Sequence, residues 1–373
     1  MDSTTHVVIG AGLAGASTAW HLARRGVDVL VLERDRPASP RGSSHGSARI
    51  FRYAYPDALY TSLVQRAEPW WEELARESGR DLMVRTGGID HGTAATTREL
   101  AAVLEARGVP HTVLSASEAA DRWPQFGFES EALFQPGAGV LDAESTVTGM
   151  LDLARRQGAD VRIGWTVTAV EPDAGGYVLR SAEGDELRAE QVIVAAGGWL
   201  PQLLPVLPLS QAFRSALPPF EVTQEQAFHF PYAEGFPAET WPTVIHRTTD
   251  SLSYALPGGR DAGFQGLKIA EFRAGKPLLS AADQDGVVTD SGRALMIDKV
   301  RALYPGLRPE PYAETTCLFT MTPTEDFVID SFEGITILSA CSGHGAKFAP
   351  LLGELVAQSL IDRVPLPRQF QVR

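Results

Sequence analysis

His6-Val7-Val8-Ile9-Gly10-Ala11-Gly12-Leu13-Ala14-Gly15 is the stretch on which the fold turns. Its β-branched start, His6 to Ile9, has the character of a buried parallel strand. The strand runs straight into a G-x-G-x-x-G turn. A helical pattern follows from about Ala14 to Arg25 and stops at Gly26. Val27-Asp28-Val29-Leu30-Val31-Leu32 then forms a second strand that closes on Glu33. Gly10 permits the tight turn, Gly12 lets a pyrophosphate reach the backbone, and Gly15 lets helix and strand pack closely. The helix N-terminus offers unpaired N–H groups and a positive dipole end to that pyrophosphate. Glu33, 18 residues after Gly15, is placed to accept hydrogen bonds from an adenosine ribose. A glycine-rich turn without a ligand would explain the glycines, but not the ordered strand, helix, strand and acid around them. The fingerprint serves NAD and FAD alike.

Two features further along favour FAD. Val147 to Arg156 is helix-like, and Val161-Arg162-Ile163, Thr166 to Val170 and Tyr177-Val178-Leu179 are strand-like. An apolar strand from Glu190 then exits through Ala195-Ala196-Gly197-Gly198-Trp199, small residues past which a ligand can lie close to backbone. Near the C-terminus, Phe327-Val328-Ile329-Asp330 and the strand Ile335-Thr336-Ile337-Leu338 lead into Ser342-Gly343-His344-Gly345-Ala346-Lys347-Phe348. A helical run follows from about Pro350 to Ile361. This second strand–glycine loop–helix unit lies about 330 residues downstream of the first and can cover the far end of a long cofactor. An NAD enzyme would keep its nucleotide in a self-contained domain.

Composition bounds the rest. The 373 residues, 44% hydrophobic and 21% charged, suit two closely packed domains. A net charge of −13, from 46 acidic and 33 basic residues, argues against a nucleic-acid surface, and no basic run suited to anionic lipid occurs. The start shows neither a charged leader nor an h-region, and no stretch approaches the roughly 18 apolar residues of a membrane span. With only Cys317 and Cys341, a reducing compartment is expected, with the cytoplasm as default. The eight histidines contain no H-E-x-x-H and the cysteines no CxxC, so no metal is expected. Length and the lack of an apolar flank point to a monomer.

Five segments, in order along the chain, resemble the D-amino-acid-oxidase-type flavoproteins, and within them the monomeric sarcosine oxidase and N-methyltryptophan oxidase family. They are Gly10 to Gly15, Ser44-His45-Gly46-Ser47-Ala48-Arg49-Ile50-Phe51-Arg52, Gly266-Leu267-Lys268, Cys317-Leu318-Phe319-Thr320 and Ser342 to Phe348. The resemblance implies FAD bonded through the sulfur of Cys317, which needs a thiolate and is helped by nearby positive charge. It implies that His45 and Arg49 face the flavin, with Arg34, Ser44, Gly343, His344, Gly345 and Lys347 also in the cofactor site. Arg52 and Lys347 would clamp a substrate carboxylate, where an arginine can bind bidentately. Lys268 would activate oxygen as a fixed cation, and Tyr254 would line the substrate pocket. One position departs from the family: Phe272 stands four residues after the lysine, where sarcosine oxidases carry histidine. The loss of that polar group puts sarcosine in doubt and suits a bulkier or more apolar amine.

The expected fold is mixed α/β, with a Rossmann-like FAD-binding domain interleaved with a substrate domain on a mixed antiparallel sheet. The first takes residues 1–85, 140–220 and 315–373, and the second 86–139 and 221–314. The expected reaction oxidises the C–N bond of a secondary amino acid, N-methyl or cyclic, to an imine, with oxygen reduced to hydrogen peroxide. The alternatives are an FAD-dependent amino acid dehydrogenase with another acceptor and a tailoring oxidase of natural-product biosynthesis. A flavin-binding protein without turnover and an NAD-dependent dehydrogenase rank behind these.

Overall fold

The apolar run after Thr5 forms the strand Asp2–Ile9, whose last four residues are buried. The computed structural model describes residues 2–372. This strand pairs in parallel with Val29–Glu33 on one side and Glu186–Val194 on the other. Asp160–Ile163 and Ile335–Ser339 extend the parallel array at either end. Two antiparallel strands, Val167–Asp173 and Gly176–Ser181, add a ribbon at its edge. The hydrophobic runs read from sequence are central strands of this sheet, as parallel strands buried on both faces require.

The helix Leu13–Arg24 starts at Gly12 and packs between the helices Ala143–Arg156 and Ala349–Leu360. Gly15 is needed because a Cβ there would overlap the carbonyl oxygen of Gly10. Gly353 does the same job at the helix crossing, where a Cβ would run into the backbone of Ser17. A polar seam closes the crossing: the Gly353 N–H donates to Ser17 Oγ at 3.1 Å, and His21 Nδ1 lies 2.9 Å from Glu354.

The second sheet has nine strands and is mostly antiparallel. Thr243–Arg247 is its exception, running parallel to Gly88–Gly92 and antiparallel to Leu252–Pro257. Next come Gly266–Glu271 and the long strand Glu221–Pro231. The mixed α/β class, the Rossmann-like first sheet and the mixed second sheet are those expected. The strand Ala313–Met321 hydrogen-bonds along Glu221–Pro231, so Cys317 belongs to the second sheet although sequence grouped 315 onward with the cofactor domain. Its backbone partners, rather than its chain position, fix that membership. No helix of the described residues is long and apolar enough to cross a membrane.

Candidate active site between the two sheets

One cavity of about 890 Å³ runs from Glu33 to Lys347, floored by the first sheet's glycine turns and roofed by the second sheet. Alternation along the roof strands decides which side chains enter it. Ile245 and Arg247, then Leu252, Tyr254 and Leu256, then Lys268, line the cavity, whereas His91 and His246 pack together on the opposite face with ring centroids 4.8 Å apart.

The nucleotide end is a cradle. Gly10 has φ +102°, a conformation glycine adopts without strain, and a Cβ there would meet the Ala195 carbonyl oxygen at 2.6 Å. Gly12 caps the first helix without a side-chain hydrogen bond, and a Cβ on it would lie 2.9 Å from Ser44 Oγ. Ser44 Oγ accepts from the Leu13 N–H at 3.0 Å. The Glu33 carboxylate accepts from the N–H groups of Ala11 at 2.8 Å and Asp35 at 2.9 Å. Burial raises its pKa and these two N–H groups oppose the shift. Lone pairs remain on both oxygens for ribose hydroxyls. Arg34 stacks over Trp199, 4.7 Å from the ring centroid, and the buried Trp199 Nε1–H has no partner among the described residues. The bare helix N-terminus, the glycine cradle and an elongated cavity with an unpaired donor in its wall all fit an extended dinucleotide such as FAD.

The middle of the cavity gathers residues from three distant segments. Ser43 Oγ donates to the Leu318 carbonyl at 2.9 Å, tying the loop before Arg49 to the strand carrying Cys317. Arg49 folds back on its own loop, donating to the carbonyls of Ser43, His45 and Ala48 at 2.7–3.1 Å. The Cys317 thiol is pushed up by burial and drawn down by Lys268 and Arg49. Lys268 is 5% exposed, and its Nζ has no hydrogen-bond partner among the described residues. Burial, with the Arg49 charge behind it, lowers its ammonium to about 8. The Tyr254 hydroxyl is held protonated, chiefly by burial. His45 does not line the cavity: its Nε2 is buried without a described partner, and burial, then Arg49 and Lys268, lower its pKa to about 4. The ring is therefore neutral near pH 7. Gly15 also stays outside the wall, in the packing position that sequence gave it.

At the far end Lys347 Nζ donates to Tyr55 Oη at 2.9 Å and to the His344 carbonyl at 2.8 Å. Burial, then Arg52, holds its pKa well below the ordinary value. Its third N–H is free to meet an anion. Arg52 lies over the Tyr55 ring at 5.1 Å, donates to the Ala54 carbonyl and reaches Asp90 Oδ1 at 3.2 Å. Asp90 is 4% exposed and also accepts from Gln135 Nε2 at 2.7 Å. His344 bridges Tyr55 Oη and the Glu325 carbonyl, both at 3.0 Å, and burial lowers it to about 3. Gly343 has φ +69° and sits under Phe272, whose ring is 5.4 Å from Phe319. Gly345 is required because a Cβ would overlap the Ala340 carbonyl oxygen. Asp90 and Arg247 join the site unannounced by any local motif, since each occupies an ordinary strand position.

A dinucleotide cradle sharing one cavity with a cluster of cations and a cysteine defines a flavin-type oxidoreductase. The chain belongs to the DAO family of FAD dependent oxidoreductases, whose model matches residues 5–359. It is 32% identical over 364 residues to the monomeric sarcosine oxidase of Streptomyces avermitilis, covering 94% of this chain and 92% of that one. It is 30% identical over 367 residues to the N-methyl-L-tryptophan oxidase of Yersinia pestis, covering 96% and 95%. The fold matches NikD, an amino acid oxidase essential for nikkomycin biosynthesis, in its open form, with a TM-score of 0.84. That match is 24% identical and covers 100% of this chain and 98% of NikD. It also matches L-proline dehydrogenase from P. horikoshii, with a TM-score of 0.80 at 20% identity and coverage of 99% and 97%. The chain is an FAD-dependent oxidoreductase similar to the sarcosine oxidases.

Proposed function

We propose that this enzyme oxidises the C–N bond of a secondary amino acid, N-methyl or cyclic, to an imine and reduces oxygen to hydrogen peroxide. FAD, when bound, supplies the two-electron acceptor for the amine and the two-electron donor for oxygen. The observation that carries the reading is the meeting of Arg52, Lys347, Tyr254, Lys268 and Cys317 around one cavity. Arg52 and Lys347 hold the substrate carboxylate, Arg52 through its planar fork and Lys347 through its free N–H. Phe272 and Phe319 close the same end with apolar surface, which suits an N-alkyl or ring carbon and disfavours water. The amine must react in its neutral form, because an ammonium has no lone pair to support a developing iminium. Two adjacent cations favour that form by opposing a positive charge on nitrogen. Lys268 presents an unpaired ammonium where charge develops on oxygen, and Arg49 adds a second cation that its loop carbonyls keep fixed.

Cys317 is proposed as the covalent attachment point for the flavin, supported by the lowering influence of Lys268 and Arg49 on its thiol. Acid precipitation of the yellow protein tests this directly. Colour should stay with the pellet in the wild type and move to the supernatant in Cys317→Ser. Release from the wild type would remove the covalent link. A coupled peroxidase assay on N-methyl and cyclic amino acids tests the reaction. Substrate-dependent bleaching of the flavin in the absence of peroxide would mean a dehydrogenase.

A further inference from the structure

At the substrate end of the cavity, Arg247 is the one lining cation for which neither the proposed mechanism nor the fold supplies a partner among the described residues. It is half-buried at the end of Thr243–Arg247, just before a turn closed by the Thr248 N–H donating to the Ser251 carbonyl at 2.8 Å. Its guanidinium makes no ion pair or hydrogen bond among the described residues, whereas the other arginines of the cavity's far end are engaged. Arg52 is bound to Asp90 and to the Ala54 carbonyl, and Arg273 to Glu325 at 3.2 Å.

The pairing register places this charge close to the carboxylate clamp. Ile245, which lines the cavity, is aligned with Asp90 on the neighbouring parallel strand, so the two share one face of the sheet, and Asp90 is the partner of Arg52. Arg247 lies two residues further on the same face, roughly 6.6 Å along the strand at about 3.3 Å per residue. A flexible guanidinium at that spacing reaches a second anionic group on a small molecule whose first carboxylate is held by Arg52 and Lys347. Neighbouring roof positions support this placement. Leu252 pairs with Arg247 across the hairpin, and the Phe272 N–H donates to the Leu252 carbonyl at 2.7 Å, so Arg247 borders the pocket that Phe272 closes.

Charge balance points the same way. Asp90 engages Arg52 and Glu325 engages Arg273, which leaves Arg247 and the anion-facing Lys347 without a carboxylate partner among the described residues. A partly desolvated cation without a partner is unfavourable, and Arg52 adds repulsion. A substrate that is dianionic once its amine is neutral would offset both positive charges that remain.

We propose that Arg247 forms a second anion subsite and that the substrate is a secondary amino acid carrying two carboxylates. This inference rests on the amino acid oxidase reading and narrows it. The test uses the FAD-loaded enzyme and unreactive thioethers, in which sulfur replaces the amine nitrogen and cannot form an imine. The monocarboxylate is (methylthio)acetate; the dicarboxylates are thiodiacetate and 2-(methylthio)succinate. Binding is read from the perturbed flavin absorption spectrum, independently of turnover. At least one dicarboxylate should bind about tenfold more tightly than (methylthio)acetate, about 1.4 kcal/mol. Arg247→Met should bring the ratio of the two affinities towards one, and Arg247→Lys should retain part of it. If (methylthio)acetate binds and neither dicarboxylate binds more tightly, or if Arg247→Met leaves the ratio unchanged, the second subsite is overturned and the oxidase reading stands. If none of the three perturbs the flavin, the carboxylate clamp fails and both readings fall together.

Discussion

Replacing Lys268 by Met should make the protein more stable while making it a poorer oxidase. The lysine is 5% exposed, and burial first, then Arg49, lowers its ammonium from 10.5 to about 8. At about 1.36 kcal/mol per tenfold change in proton affinity, that lowering corresponds to roughly 3 kcal/mol of destabilisation when the group is charged. The sign follows from linkage. Between about pH 8 and pH 10.5 the unfolded chain binds the proton and the folded one does not, so wild-type stability rises with pH across that window. Below pH 8 the whole penalty is present; above 10.5 it is gone. Methionine has similar length and no charge, so Lys268→Met should gain most of this amount at pH 7. For a chain of 373 residues, about 2.1 cal/mol/K of unfolding entropy per residue converts it to a Tm increase of about 4 °C. Reoxidation of the reduced protein should meanwhile slow by roughly 10²-fold, the usual effect of deleting one fixed charge beside a developing one. Thermal unfolding of both proteins at pH 7 and pH 10.5, paired with stopped-flow reoxidation, checks both halves. A variant no more stable at pH 7, or one whose advantage persists at pH 10.5, would refute the reasoning.

Two further outcomes test the cradle and the clamp. Gly15→Ala forces a Cβ onto the Gly10 carbonyl oxygen, a backbone atom that cannot swing away, so flavin retained per protein should fall by roughly tenfold or the chain should fail to fold. The ratio of flavin to protein absorbance reads this. Arg52→Met should raise KM for amino acids by about 100-fold with flavin content unchanged, as expected when one member of a buried charge pair is removed. Because the variant leaves Asp90 buried with only Gln135, its Tm should also drop, and Asp90→Asn in the same background should recover part of the loss.

What was legible in the sequence was whatever depends on neighbours along the chain. The opening strand, glycine turn, helix and second strand announce themselves because each glycine answers a local demand: a positive φ at Gly10, a bare helix end at Gly12, a contact with Gly10 at Gly15. Helix Ala349–Leu360 and the loop before it are the same grammar repeated. Cys317 was legible as a residue, but its place on the second sheet was not. Membership there is set by nine backbone partners on Glu221–Pro231, a segment about ninety residues away that no local pattern connects to it. The substrate end shows the same limit in sharper form. Arg52 and Lys347 carry family motifs, but Asp90 and Arg247 lie in strands that look like any other. Their relation exists only because a parallel register brings Ile245 beside Asp90 and alternation turns 245 and 247 to the same face. A slip of one residue in that register would send Arg247 to the face where His91 and His246 stack, and would bring His246 into the cavity. Specificity at this end of the cavity is therefore written in strand register, which is why motifs identify the cofactor chemistry of this chain before they identify its substrate.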